Sequence, residues 1–147
     1  MKAAGSLQDR APLPSAILET CLYVANLPRA RGFYTGLFGY SVMQEDDRFC
    51  AMSVNGRQVL LLFKRGSNPH GTVLPFGVIP PHDGTGPAHI GFSISVESLA
   101  AWQARLRDED IDVESTFQWP GGGISVYFRD PDGHLLELLT PGVWPIY

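Results

Sequence analysis

The 147-residue chain is 44% hydrophobic and 18% charged, long and apolar enough to bury a core and unlike a disordered segment. Its net charge of −4, with eleven Lys and Arg that form no cluster, argues against nucleic acid or an anionic membrane as a partner. No apolar run approaches the ~20 residues of a membrane span, and Cys21 and Cys50, in no metal spacing, read as free thiols of a reducing, cytoplasmic setting.

In chain order, residues 1–14 are polar and proline-containing with no apolar signal core, and are expected to form a loose tail. A first module is expected over 15–64. Its opening strand, Ile17 to Val24, places Glu19, Cys21 and Tyr23 on one face. Asn26 is a ready cap for the next helix and Pro28 fits its first turn. Ala30, Phe33, Tyr34 and Leu37 recur at helical spacing as a core stripe, and Gly39 stops the helix. Three strands follow near 40–45, 48–54 and 57–64, the last two joined by the hairpin signal Asn55-Gly56. Residues 65–87 are crowded with Pro and Gly and predict an irregular connector, with a short extended piece possible over Val73 to Ile79. A second module, 88–141, repeats the order: a strand over Ala88 to Ser95, a helix near 97–109, and strands near 111–118, 122–129 and 133–140. Residues 142–147 are left as a C-terminal tail. The fold class is therefore α+β.

The element repeat allows the two halves to be registered. Glu19 falls over His89, and Asn55-Gly56 over Asp132-Gly133, which sets Leu60 opposite Glu137. Glu137 stands among four leucines in Leu135–Leu139, and a buried ionised carboxylate costs several kcal/mol unless a cation or donors compensate it. Each of Glu19, His89 and Glu137 has an ordinary explanation alone: strand-edge carboxylate, hydrogen-bonded core histidine, exposed edge-strand residue. Together, at matching places of a two-copy architecture, they point to one divalent cation. Three protein ligands leave positions open for two neighbouring substrate oxygens, and the metal would act as a Lewis acid that stabilises an enolate or alkoxide. Tyr127 is the candidate donor to that oxygen, with an outward-facing strand aromatic as the alternative. Cys21 reads as a small wall residue, His82 as an exposed loop histidine able to swing over the cup, and His134 as surface. Trp119 to Gly123 reads as either a substrate lip or an ordinary hairpin connection.

These residues carry a resemblance. The chain resembles the glyoxalase / bleomycin resistance / extradiol dioxygenase (vicinal oxygen chelate) superfamily in Ile17–Tyr40, in Gly86–Ser95 and most specifically in Tyr127-Phe-Arg-Asp-Pro-Asp-Gly-His-Leu-Leu-Glu137. The resemblance implies two βαβββ modules forming a cup-shaped mixed sheet with helices outside, usually within a homodimer. It implies a metal on Glu19, His89 and Glu137, a role for Tyr127, and a small-molecule substrate; the one-His, two-Glu set suits Mn, Mg, Ni, Zn or Fe. Lyase, isomerase, transferase and dioxygenase chemistries all occur in such proteins. The chain departs from lactoylglutathione lyases in having no fourth ligand near Leu60. It departs from extradiol dioxygenases in having one histidine ligand, and Gln118 and Trp119 where those carry a catalytic histidine. A metal-free protein of the bleomycin-resistance kind, sequestering an aromatic or antibiotic ligand, is the alternative function.

Overall fold

The computed structural model describes residues 11–147, so residues 1–10 of the tail expected at 1–14 lie outside the described residues. The first half contains β1 (Glu19–Val24), α1 (Leu27–Phe38), β2 (Ser41–Glu45), β3 (Phe49–Val54) and β4 (Gln58–Lys64). The second contains β7 (His89–Ser93), α2 (Leu99–Asp108), β8 (Val113–Gln118), β9 (Ile124–Arg129) and β10 (Leu135–Leu139). Between them β5 (Thr72–Leu74) and β6 (Gly77–Ile79) form a small hairpin in the connector. Each half closes its own four-stranded mixed sheet, in the orders β1-β4-β3-β2 and β7-β10-β9-β8. In each, the first and last strands run parallel and the remaining pairs antiparallel. This is the expected pair of βαβββ modules.

Local chemistry explains the elements. Asn26 Oδ1 accepts from the Arg29 N–H at 2.9 Å, capping α1, and Gly39 ends the helix in a left-handed conformation at φ 71°. The connector hairpin depends on Gly71, where φ is +79° and a Cβ would stand 2.4 Å from the Ile79 carbonyl oxygen. That contact escaped the reading of the connector as largely irregular. Among the described residues no helix is long and apolar enough to cross a membrane.

Alternation along the strands sends one face of each sheet into a common core. Leu22 and Val24 of β1, Leu60 and Leu62 of β4, Val126 and Phe128 of β9, and Leu136 and Leu138 of β10 are all buried there. Ala30, Tyr34 and Leu37 of α1 and Leu106 of α2 fill the helical side. Each large side chain so buried contributes roughly 1.5–3 kcal/mol, and Leu62→Ala would cost about 2–5 kcal/mol through lost transfer energy and the cavity left behind. At the seam between the modules Phe38 lies 4.7 Å from Phe92, 5.1 Å from Tyr40 and 5.5 Å from Trp102, ring centre to ring centre.

His134 corrects the expectation of a surface histidine. It is 1% exposed and ties the modules together. Its Nδ1 accepts from the Ala88 N–H at 2.9 Å, so the neutral ring carries its proton on Nε2, which donates to the Tyr23 carbonyl at 2.8 Å. The turn 130–134 folds back over β1, and that long-range contact leaves no mark in the local sequence.

With these inner faces committed to the core, the opposite faces of the two sheets stay open. They carry the polar residues that the strand pattern singled out.

Candidate functional site

On the second sheet β10 is an interior strand, paired with β7 on one side and β9 on the other. Glu137 stands directly across from Gly91 and from Tyr127, so all three face the same way. His89, two residues before Gly91, shares that face. The exposed-edge explanation of Glu137 therefore fails: its residue exposure is 7%.

The His89 Nε2 lies 3.1 Å from Glu137 Oε2, and His89 Nδ1 lies 2.9 Å from the Leu135 carbonyl oxygen. A carbonyl only accepts, so Nδ1 must carry a hydrogen. A neutral His89 then turns a lone pair on Nε2 toward a carboxylate oxygen, and two acceptors face one another. The pair is stable only with a proton or a cation shared between them. Imidazole nitrogen beside carboxylate oxygen is a donor set that a divalent ion would accept in place of that proton. The residues therefore fit a metal ion, and the backbone carbonyl fixes the imidazole as metal-bound histidines require. Gly91 adds the room. A Cβ there would lie 3.6 Å from Glu137 Oε2 and 3.0 Å from the Leu139 side chain.

The other oxygen of Glu137 is held by a residue the sequence reading missed. Ser125, fully buried, donates its hydroxyl to Glu137 Oε1 and accepts from Trp119 Nε1 at 2.8 Å. A serine two residues before Tyr127 in the apolar strand Ile-Ser-Val-Tyr-Phe was the available signal, since i and i+2 share a face. Trp119 is thus engaged in holding the carboxylate. Tyr127 sits beside Glu137, its ring centre 6.3 Å from that of His89. Burial pushes its phenol above the ordinary value; a Ser125 hydrogen bond opposes this and the Glu137 carboxylate adds to it. Tyr127 is therefore a proton-bearing donor at neutral pH. His89 and Glu137 open into a cavity of about 1050 Å³ whose lining also includes Trp144, Ile146 and Tyr147. Tyr147 donates its hydroxyl to the Ile94 carbonyl at 2.7 Å, anchoring the C-terminal segment there.

Glu19 lies elsewhere. It lines a cavity of about 600 Å³ over the first sheet, with Cys21, Tyr23, Phe63 and His82. Among the described residues no three His, Cys, Asp or Glu side chains of one chain gather at a point that would hold a metal. One chain thus brings together His89 and Glu137 but not Glu19. Registration of the two sheets nevertheless holds. Glu19 pairs with Val59 as His89 pairs with Leu135, so Glu19 and His89 occupy equivalent positions. The partner position of Glu137 is Leu61, opposite Cys21, rather than the expected Leu60. Aligning the glycines misled by one residue because the turns differ: residues 55–57 separate the paired Val54 and Gln58, whereas 130–134 separate Arg129 and Leu135. Leu61 offers no donor either. His82 is half-buried, its Nδ1 2.7 Å from the Tyr23 hydroxyl.

Comparison with known proteins agrees with this architecture. The sequence profile of the Glyoxalase/Bleomycin resistance protein/Dioxygenase superfamily matches residues 16–138. The crystal structure of a lactoylglutathione lyase from Agrobacterium tumefaciens superposes with a TM-score of 0.82 at 33% identity, covering 90% of this chain and 98% of that one. The fosfomycin resistance protein FosX of Listeria monocytogenes shares the fold, with a TM-score of 0.66 at 20% identity over 89% of this chain and 97% of its own. A segment of 57 residues is 42% identical to the metallothiol transferase FosB of Bacillus licheniformis; it spans 38% of this chain and only 37% of that relative. With two βαβββ sheets, a profile match over most of its length and a related structure covered almost end to end, the chain belongs to the glyoxalase/bleomycin resistance protein/dioxygenase superfamily.

Proposed function

We propose that this protein is a divalent-metal enzyme acting on a small molecule with two neighbouring oxygens, its metal held by His89 and Glu137 of one chain and Glu19 of a second copy. The observation that carries this reading is the His89–Glu137 pair, which needs a shared proton or cation and whose orientation is fixed by Leu135 and Ser125. Glu19 occupies the equivalent strand position of the other module, so a two-fold pairing of first sheet against second would bring it to the pair and complete a three-ligand site. When bound, a divalent ion supplies Lewis-acid polarisation of a substrate oxygen, worth several kcal/mol. Tyr127, protonated at neutral pH, gives a hydrogen bond or proton to the oxygen on which charge develops. Ser125 and Trp119 keep the carboxylate turned toward the ion.

Likeness to a lactoylglutathione lyase over nearly the whole chain supports a reaction of lyase type. The missing donor at Leu61 makes the ligand set one shorter than the resemblance implies for those lyases. The short, higher-identity match to a metallothiol transferase supports transfer chemistry instead. Metal-free sequestration is the second reading, supported by the aromatic lining of the first-sheet cavity.

Titration of the metal-free protein with Mn²⁺ tests the assignment. About one equivalent per chain is expected, lost in His89→Ala and in Glu137→Gln. Mixing Glu19→Gln chains with His89→Ala chains restores binding, because a mixed dimer holds one intact site. No uptake of any divalent metal by the wild type would replace this reading with sequestration; uptake that mixing fails to restore would remove the shared site.

A further inference from the structure

We infer that the first-sheet cavity receives an uncharged, ring-bearing body of the substrate, oriented by a hydrogen bond from the Tyr23–His82 pair. This rests on the metal-site reading above, in which Glu19 at the same cavity joins the chelating centre.

The cavity is built from aromatic faces. β1 contributes Tyr23, β3 contributes Phe49 and β4 contributes Phe63. Phe49 and Phe63 stack at 5.6 Å with 23° between planes, and Tyr23 leans on Phe63 at 6.4 Å. His82 comes from the connector and meets Phe63 edge-on, 4.5 Å away at 89°. Flat apolar groups pack on such walls in offset or edge-to-face contacts worth more than their area alone.

His82 is held there. Its neighbour Asp83 accepts from the Gly66 N–H at 3.0 Å, tying the strap to the end of β4, and from the adjacent Gly84 N–H at 2.9 Å. Gly84 presses so closely on the Tyr23 ring that a Cβ would stand 2.5 Å from Cδ2. The sequence His82-Asp83-Gly84 therefore seats the imidazole over the aromatic floor.

Polarity in the cavity follows from the same pair. Burial, then Cys21 and Asp83, push the Tyr23 phenol up to about 12, so it keeps its proton, and its oxygen lies 2.7 Å from His82 Nδ1. With the phenol donating to Nδ1, the remaining imidazole hydrogen sits on Nε2, a donor for a carbonyl, ether or nitro oxygen. Charge selects in the same direction. Among the described residues lining the cavity, Arg48 is the one guanidinium or ammonium, and Asp46 already engages it at 3.4 Å, while Glu19 adds a second carboxylate. An anionic body such as a phosphonate finds no free counter-charge on these walls.

Two chelators with the same head separate the ring from the metal. Benzohydroxamate and acetohydroxamate both present two neighbouring oxygens and differ in phenyl against methyl. Calorimetric titration of the Mn²⁺-loaded protein is expected to give benzohydroxamate a Kd lower by about tenfold or more. Phe63→Leu should shrink that ratio to about threefold or less, and His82→Ala should do the same for 4-nitrobenzohydroxamate, whose nitro oxygens can accept from Nε2, with the Mn²⁺ affinity and the acetohydroxamate Kd unchanged. Equal constants in the wild type, or a ratio that neither variant moves, would overturn the inference and leave the metal site standing. If the protein takes up no metal, saturation-transfer NMR with benzamide reads the cavity alone. Transfer that His82→Ala abolishes supports the ring site without the metal; no transfer in the wild type refutes it.

Discussion

The Tyr34 hydroxyl donates to Asp130 Oδ2 at 2.8 Å across the seam between the two modules, with the tyrosine wholly buried and the carboxylate 5% exposed. The other oxygen of Asp130 accepts from the backbone N–H groups of Asp132 and His134, each at 2.9 Å. One carboxylate thus shapes the turn before β10 and fastens it to α1. Because β10 carries Glu137, the contact positions the candidate site as well as the fold.

Tyr34→Phe removes one donor and leaves a buried carboxylate oxygen unpaired, an expected loss of about 1–3 kcal/mol. Asp130→Ala strips partners from the hydroxyl and from two backbone N–H groups and costs more. Urea unfolding of both variants checks the order. Losses below about 0.5 kcal/mol in both would show that the seam does not depend on this carboxylate.

Alkaline pH acts on the same region. Burial raises the phenols of Tyr34, Tyr40 and Tyr23, that of Tyr23 to about 12. The unfolded chain loses these protons near pH 10, whereas the folded chain holds them longer. Their contribution to stability is complete below about pH 10 and is lost as pH rises from there through the folded values. Urea midpoints should decline slightly from pH 8 to 9.5, where burial of the Cys50 thiol already acts, and fall further by pH 11. The fall should be shallower in Tyr34→Phe, measured relative to its own midpoint at pH 8. A midpoint independent of pH up to 11 would contradict this.

Much of this molecule was legible before any coordinates. The apolar run Leu135–Leu139, the Asn26 and Gly39 helix signals and the two glycine turns are local features, and each marks the element found. The invisible parts depend on long-range contacts. His134 is buried because a strand over a hundred residues away in sequence offers it a carbonyl. Ser125 matters because Trp119 and Glu137 close on it from different segments. The placement of Glu19 apart from His89 is a matter of how two modules are joined, which strand order alone leaves open. Tyr23 and His82, 59 positions apart, meet only because the connector doubles back over the first sheet.

Ser125 gives a direct test of how the carboxylate is held. Ser125→Ala keeps the fold but frees Glu137 Oε1 and leaves Trp119 Nε1 without its acceptor. Outer partners of this kind typically contribute about 10–100-fold to metal affinity or activity. Competition titration with a metallochromic dye should show Mn²⁺ binding weakened within that range in Ser125→Ala, and less so in Ser125→Thr, which retains the hydroxyl. Equal weakening in the two variants would point to packing in place of the hydrogen bond.

Tyr127 is separated from the metal ligands by its chemistry. It faces the same side as Glu137 but its phenol, pushed upward by burial and by that carboxylate, is a donor. Acetohydroxamate places two oxygens where the substrate's would stand. Tyr127→Phe should weaken its binding to Mn²⁺-loaded protein about five- to tenfold, the worth of one hydrogen bond of about 1–1.5 kcal/mol. Mn²⁺ affinity itself should stay within about twofold, because the phenol is not among the proposed ligands. A parallel loss of metal would instead make Tyr127 part of the metal-holding shell, and an unchanged chelator Kd would remove it from the site.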